Sequence, residues 1–243
     1  MSKGLITNQL FSLTGEGSGQ RWIEKFPPMS TKRWGITALC TGSNLIAAGG
    51  EGEGDMVLQT VEVMNTETHE WSIAADLPQA VCYASSTVCG DHIYMLGGND
   101  KDLEPSRSVY SCPLTNFNQP RSIRSLQERF ANAVLSLPNK SFVREKWNGI
   151  ADVPVTYSCC VSIYGRLLAI GGMDSNEKPT AAIHMYNPNT CSWEVISHMA
   201  TPRYDCFAAV LPDNQLMVVG GRTNSGKTNS VEMAVTCTTT VAQ

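Results

Sequence analysis

The chain has 243 residues, of which 42% are hydrophobic and 16% charged, so it is long and apolar enough for a folded core and is not disordered throughout. Its formal net charge is −4 with Lys and Arg scattered along the chain, which disfavours a nucleic-acid-binding surface. No segment has the apolar length of a membrane span, and the apolar run at the start is too short for a secretory signal.

The first predicted elements form an incomplete unit. Residues 7–13 have the pattern of a third strand in the units that follow, and Trp22–Phe26 have that of a fourth strand. No strand ending in a glycine pair precedes them. We therefore predict a partial unit over residues 7–28.

The first complete unit is predicted over residues 34–77. Its pieces are, in order, a strand at 36–40, a turn at 41–44, an apolar strand ending in Gly49-Gly50, a strand at 60–64 and a fourth strand from Trp71 to Leu77. The turn residues tolerate positive φ or bond their own backbone. The glycine pair, which lacks side chains, permits a close approach of another backbone segment.

The same pattern recurs three more times, at Gly97-Gly98, Gly171-Gly172 and Gly220-Gly221. Trp193 follows Gly172 by 21 residues, the same spacing as between Gly50 and Trp71. These repeats predict units over residues 82–153 and 157–199, a partial unit over 205–235 and a tail at 236–243. An apolar strand, a glycine pair and a tryptophan that recur with a period near 48 residues indicate a four-stranded propeller blade.

The second unit carries an insert of about residues 114–143. Trp147 follows Gly98 by 49 residues instead of 21, and the extra residues fall between the third and fourth strands. Ile123, Leu126, Phe130 and Val134 have the spacing of a short amphipathic helix. The insert is either a surface excursion or an element that docks a partner.

Taken together, these motifs resemble the kelch-repeat β-propeller family. The matching pieces are the glycine pairs, the strand that carries Tyr186, the tryptophans and the Met-Ala-Thr-Pro-Arg run at 199–203, and the match covers roughly residues 7–235. The resemblance implies an all-β propeller with three complete four-stranded blades and two partial ones.

The two partial units leave the closure of the propeller open. The Trp22 strand could complete the blade of Gly220-Gly221 and give four blades, since propellers close by sharing a blade between the termini. Kelch propellers usually have six or seven blades, so the chain could equally be an open arc that lacks N-terminal blades of a six-bladed parent. We favour the open arc and expect poor stability of the isolated chain.

Catalytic and metal motifs are missing from the pattern. The four histidines are spread over three units and do not predict a metal site, and no nucleophile elbow or phosphate loop is found. The nine cysteines are odd in number and lack CxxC spacing, so we interpret them as small buried thiols of a cytoplasmic protein. We predict no cofactor.

Two sets of loop residues are the candidate binding site. In kelch propellers the loops after the glycine pairs and those before the innermost strands converge on one face, and the resemblance implies that they form the ligand surface. Arg, Tyr and Trp are also the residue types enriched at binding hot spots. The predicted residues are Arg33, Trp34, Tyr83, Asn99, Asp100, Tyr157, Asp174, Asn176, Arg203, Tyr204, Arg222 and Asn224, with Glu51 and Glu53 in the first of these loops.

The sequence therefore predicts a non-enzymatic module that binds a protein or peptide on one propeller face. The alternatives are a carbohydrate-processing enzyme on the same scaffold, which would need His, Arg and Glu converging in the central channel, or a truncated product without a function of its own. For Arg33 and Arg203, hydrogen bonding between blades is a competing role.

Overall fold

A computed structural model describes residues 8–14, 20–114 and 147–235. For residues 10–14, 21–25 and 235 it describes the backbone only. The chain divides into two compact units, which are described separately. Unit 1 comprises Met1–Tyr83, Asp100–Leu103 and Cys112–Asn148, and unit 2 comprises Ala84–Asn99, Glu104–Ser111 and Gly149–Gln243. The predicted helix of the insert and the tail at 236–243 lie outside the described residues.

The described residues form antiparallel strands and one 3-10 turn at Glu53–Asp55. The first partial blade is β1 (Leu10–Thr14) and β2 (Arg21–Phe26). Blade 1 is β3 (Thr37–Thr41), β4 (Asn44–Ala48), β5 (Val61–Asn65) and β6 (Glu70–Ile73). Blade 2 is β7 (Ser85–Cys89), β8 (His92–Leu96), β9 (Val109–Pro113) and β10 (Asn148–Ile150).

Blade 3 is β11 (Cys159–Ile163), β12 (Arg166–Ile170), β13 (Ala182–Asn187) and β14 (Ser192–His198). The last partial blade is β15 (Phe207–Val210), β16 (Gln215–Val219) and β19 (Val231–Val235), and a separate two-stranded hairpin lies between its last two strands: β17 (Arg222–Thr223) and β18 (Gly226–Lys227). The prediction of three complete blades and two partial ones is confirmed.

The alternative in which the Trp22 strand completes the last blade is not the pairing that the described strands adopt. β2 pairs with β1, with Trp22 opposite Leu13. The sheet of the Gly220-Gly221 motif consists of three described strands, β15, β16 and β19. The described strands therefore form two separate partial blades.

The core of unit 2 lies between successive sheets, as radial packing requires. On one face of blade 3, Cys160, Leu167 and Ala169 pack with Leu96 and Val109 of blade 2. The alternate residues of the same strands, among them Val161, Leu168 and Ile170, pack with Ala208, Leu216 and Val218 of the last partial blade. Both faces of blade 3 are apolar because each is covered by a neighbour.

The outward face of the last partial blade is apolar and exposed. Phe207 of β15 and Val231 of β19 lie in register with Val219 of β16 between them. Phe207, Val231 and Met233 of this face are exposed, whereas Ala208 and Leu216 on the opposite face are buried. Exposed apolar side chains of this kind do not contribute their burial energy to folding.

The glycine pairs are sites of close backbone contact. The amide of Gly50 donates to the carbonyl of Val81 at 2.8 Å, and in unit 2 the amide of Gly172 donates to the carbonyl of Arg203 at 2.8 Å. Gly49 has φ of +62°, and a Cβ built on it would lie 2.2 Å from the carbonyl oxygen of Val81. These two pairs thus anchor the segment that leads into the next blade, a close backbone approach of the kind that the sequence predicts.

The repeated tryptophans tie each outer strand to an earlier segment. The indole of Trp71 donates to the carbonyl of Pro27 at 2.8 Å, and that of Trp193 donates to the carbonyl of Ala151 at 2.9 Å. Both are partly buried, whereas Trp147 is buried. β6 ends at Ile73 rather than at Leu77.

Candidate functional site: the loops before the innermost strands

The two predicted loop sets meet within three blades. Trp34 and Glu51 exchange two backbone hydrogen bonds of 3.0 and 2.8 Å in blade 1. Thr156 and Met173 of blade 3 exchange the same two backbone hydrogen bonds, and so do Tyr204 and Arg222 of the last partial blade. Each loop before an innermost strand is therefore held against the loop that follows the glycine pair of its own blade.

An aromatic pair occupies this position in unit 1. The rings of Trp34 and Tyr83 meet edge to face, with centroids 5.7 Å apart, and each residue is 47% exposed. Tyr83 lies over Gly35, where an added Cβ would be 2.7 Å from its ring. Burial and, next, a hydrogen bond to the buried Glu51 raise the pKa of Tyr83 to about 12.

A second aromatic pair lies in unit 2. The rings of Tyr157 and Tyr204 are 6.1 Å apart at 51°, and both residues are partly exposed. The amide of Asp205 donates to the carbonyl of Tyr157 at 3.1 Å, which joins the two loops. Arg222 forms an exposed ion pair with Asp205 at 3.6 Å. Burial raises the pKa of Asp205, and the nearby Arg222 opposes that shift.

The backbone of these loops is strained at one repeated position. Gly35, Tyr83, Tyr157 and Asp205 occupy it in successive blades, with φ of +56°, +56°, +55° and +50°. Bulky side chains rarely adopt this left-handed conformation, which costs about 1–3 kcal/mol and is retained where the surroundings enforce it. Such strain at exposed tyrosines is typical of functional loops.

Arg33 and Arg203 are buried, and this changes the interpretation of both residues. They are 3% and 0% exposed. Arg33 donates to the carbonyls of Gly49 and Thr60 at 2.9 and 3.0 Å and pairs with Glu62. Arg203 donates to the carbonyls of Gly220 and Ser230 at 3.0 and 3.2 Å and pairs with Glu232. These side chains hold the blade together and do not lie on the exposed loop surface.

The carboxylates that pair with these arginines were missed in the sequence. Glu62 accepts hydrogen bonds from the Ser30 amide and hydroxyl at 2.7 and 2.6 Å, and Glu232 accepts from the Ala200 amide at 2.7 Å. Each glutamate is the second residue of a third strand and is flanked by apolar residues, which is the signal that could have identified it. A buried carboxylate at such a position requires a cationic partner.

In the described structure, blade 3 has no arginine–glutamate pair at the position of the Arg33–Glu62 and Arg203–Glu232 pairs. His184 of β13 occupies the position of Glu62 and Glu232, and Val155 occupies that of Arg33 and Arg203. His184 is buried, and its Nδ1 has no hydrogen-bond partner in the described structure. Burial, and then the neighbouring His198, lower its pKa.

This histidine predicts a pH dependence of stability. Because its folded-state pKa lies below the ordinary value near 6.5, unfolded chains bind the proton more tightly, and stability falls as the pH drops below about 6.5. His184→Gln should flatten the stability profile between pH 7 and 5 by at most about 1.4 kcal/mol per pH unit, the slope of one proton. Urea unfolding at several pH values measures it. His69→Gln, at an exposed site in another blade, is the control, and parallel profiles of wild type and His184→Gln would contradict the prediction.

The remaining predicted residues divide between loop-shaping and exposed positions. Asp174 accepts from the amides of Lys178 and Asn176 at 3.0 and 2.8 Å, and these bonds, that of Lys178 first, lower its pKa. Asp100 accepts a hydrogen bond from the amide of Asp102 at 2.9 Å. Asn99 forms an isolated antiparallel β-bridge with Pro105. The exposed members are Asn176, Arg222 and Asn224.

Neither a cluster of metal ligands nor a membrane-spanning helix is present within the described ranges. No group of three or more His, Cys, Asp or Glu residues at 8–14, 20–114 and 147–235 is arranged to hold a metal ion. Over that same part of the chain, no helix has the length and apolar character needed to cross a bilayer.

Comparison with known proteins identifies the family. Residues 35–240 match the family described as the KLHDC2/KLHL20/DRC7 Kelch-repeats domain. The chain therefore belongs to the kelch-repeat family, and the resemblance drawn from its motifs is confirmed.

Individual relatives agree with this assignment. The chain is 23% identical over 209 residues to human Kelch-like protein 23, covering 83% of this chain and 32% of that protein. It is 26% identical over 171 residues to mouse Kelch domain-containing protein 8B, covering 70% and 43%. An F-box/kelch-repeat protein of Arabidopsis thaliana is 33% identical over 80 residues, covering 32% and 21%. The chain thus spans less than half the length of these relatives.

A solved structure supports the fold. The structure of YjhT superimposes with a TM-score of 0.64 at 14% sequence identity, over 96% of this chain and 82% of that one. At this identity the likeness establishes the propeller fold.

Proposed function

We propose that this kelch domain is a non-enzymatic module that binds a protein or peptide through the loops before its innermost strands. The observation that carries the proposal is the tyrosine pair of unit 2, Tyr157 and Tyr204, which is exposed in part while the Tyr157 backbone is held at φ of +55°. Aromatic side chains fixed in this way lose little entropy on binding and provide a large contact area.

The neighbouring polar groups suit a peptide ligand. Asp205 and Arg222 flank the tyrosine pair and are exposed, so they can exchange their mutual ion pair for hydrogen bonds to a partner. Asn176 and Asn224 add exposed amides on the loops that follow the glycine pairs. An apolar centre with a polar rim is the usual composition of a protein interface.

The test uses peptides selected from a random library against the purified chain. Tyr157→Ala should weaken their affinity at least about tenfold, since truncating a hot-spot aromatic typically costs about 2 kcal/mol or more. Fluorescence anisotropy of a labelled peptide measures the change.

Tyr164→Ala is the matched control. Tyr164 is also an exposed tyrosine with positive φ, +50°, and it follows the same strand β11 that Tyr157 precedes. The two residues therefore lie at opposite ends of one strand. Equal affinity of the selected peptides for wild type and Tyr157→Ala, or an equal loss with Tyr164→Ala, would contradict the assigned surface.

We further propose a cytoplasmic location. The eight cysteines within the described ranges are free thiols, as is usual where the glutathione pool keeps proteins reduced. Fractionation of cells that express the tagged chain tests this proposal, and recovery in the secreted fraction would contradict it.

A further inference from the structure

Two cysteines of neighbouring blades face each other in the core of unit 2. The sulfur atoms of Cys159 and Cys206 are 3.4 Å apart, although the residues are 47 positions apart in the chain. Cys159 opens strand β11 of blade 3, and Cys206 immediately precedes strand β15 of the last partial blade. The residues are 8% and 9% exposed, so a small part of each remains accessible to water and to an oxidant of similar size.

The backbones that carry the two thiols are already joined. The hydrogen bond from the Asp205 amide to the Tyr157 carbonyl, 3.1 Å long, lies directly beside them. A disulfide needs a sulfur–sulfur distance of about 2.05 Å. The thiols are therefore about 1.4 Å from bonding distance, and the neighbouring hydrogen bond keeps their strands adjacent.

We propose that Cys159 and Cys206 form a site of reversible oxidation, at which a peroxide converts the thiol pair into a disulfide that joins two blades. One thiolate attacks a peroxide oxygen, becomes a sulfenic acid and releases the first water. The second sulfur attacks the sulfenic sulfur, forms the S–S bond and releases the second water. The two thiols lose two electrons and two protons, and the peroxide is reduced to two waters.

The surroundings assign Cys206 as the first nucleophile. A hydrogen bond from the Cys159 thiol and, among the other causes, the nearby Arg203 guanidinium lower the pKa of Cys206, whereas the same hydrogen bond and burial raise the pKa of Cys159. Cys160, the neighbour of Cys159, is different: burial raises its pKa to about 12. Thiolate character therefore concentrates on the sulfur that faces a second thiol.

The disulfide would lie close in sequence to the aromatic pair. Cys159 follows Tyr157 by two residues, and Cys206 follows Tyr204 by two residues. Oxidation would close a loop of 47 residues between the blades and remove conformational freedom from the unfolded chain. This inference does not depend on the proposed binding function, because its test has no binding readout.

The test treats the full chain with hydrogen peroxide under native conditions. The expected product is about 2 Da lighter and gives a peptide that links Cys159 to Cys206, and its Tm is raised by about 5–15 °C until dithiothreitol reverses it. Cys160→Ser, the control, should retain both effects, and Cys206→Ser should lose both. Absence of the linked peptide from oxidised wild type, which requires no variant, would overturn the proposal, as would a linked product with an unchanged Tm.

Discussion

Arg33→Met is expected to lower the free energy of unfolding by roughly 3–5 kcal/mol, the cost of leaving a buried charge without its partner. The side chains of Arg33 and Glu62 are 0% and 2% exposed and their charged atoms lie 2.6 Å apart. The substitution also removes the guanidinium that donates to the carbonyls of Gly49 and Thr60. These two residues lie just after strand β4 and just before strand β5. Equilibrium unfolding in urea at pH 7 measures the loss.

The pH dependence of this loss gives a second check of the cause. Burial alone would raise the pKa of Glu62, but hydrogen bonds from Ser30 and then Arg33 outweigh it and lower the pKa. The wild-type carboxylate therefore contributes stability above pH 4.5 that disappears as the pH falls. In Arg33→Met the carboxyl group can take up a proton instead, so the difference between wild type and variant should shrink on acidification.

A double variant is the matched control for Arg33→Met. Arg33→Met/Glu62→Gln removes both charges but retains one oxygen, which can accept from the Ser30 amide and hydroxyl. It should be more stable at pH 7 than Arg33→Met alone, because no unpaired charge remains. A loss below about 1 kcal/mol for the single variant would show that the ion pair is not structural.

Gly49→Ala is expected to destabilise the chain by about 2–5 kcal/mol through a steric clash added to backbone strain. The new Cβ would lie 2.2 Å from the carbonyl oxygen of Val81, which accepts the amide of Gly50. Backbone atoms on both sides of this contact are hydrogen-bonded, so they cannot move apart without losing a bond. Thermal and urea unfolding measure the effect.

Gly42→Ala separates the clash from the strain. Gly42 has φ of +54°, close to the +62° of Gly49, and nothing lies within 4 Å of the position that a new methyl group would take. Its substitution should therefore cost only about 1–2 kcal/mol, the conformational part. Equal losses at the two positions would show that backbone contact at the glycine pair does not stabilise the fold.

The fold was predictable because its signals are local and repeated. Each apolar strand ends in a glycine pair, and the second glycine of two pairs, Gly50 and Gly172, donates to the segment that leads into the next blade. One glycine pair alone is ambiguous, but four in register with Trp71 and Trp193 specify a repeated sheet. Strand bounds differ from expectation mainly at the outer edge, where β6 ends early at Ile73.

The candidate site was only partly predictable because burial of a side chain depends on tertiary packing. Arg33 and Trp34 are adjacent in sequence, but one is buried against Glu62 while the other is 47% exposed. The left-handed backbone of Tyr157 likewise has no sequence signal, since tyrosine disfavours it. The interpretation of the arginines as structural could have come from the glutamate that is the second residue of each matching third strand.

The most direct measurement of the central claim is hydrogen–deuterium exchange of the full chain with and without a selected peptide. If the loops before the innermost strands bind the partner, the peptide should slow exchange at residues 156–158 and 204–206, around Tyr157 and Tyr204. Slowed exchange confined to residues 163–166, the turn at the other end of β11, would contradict the claim.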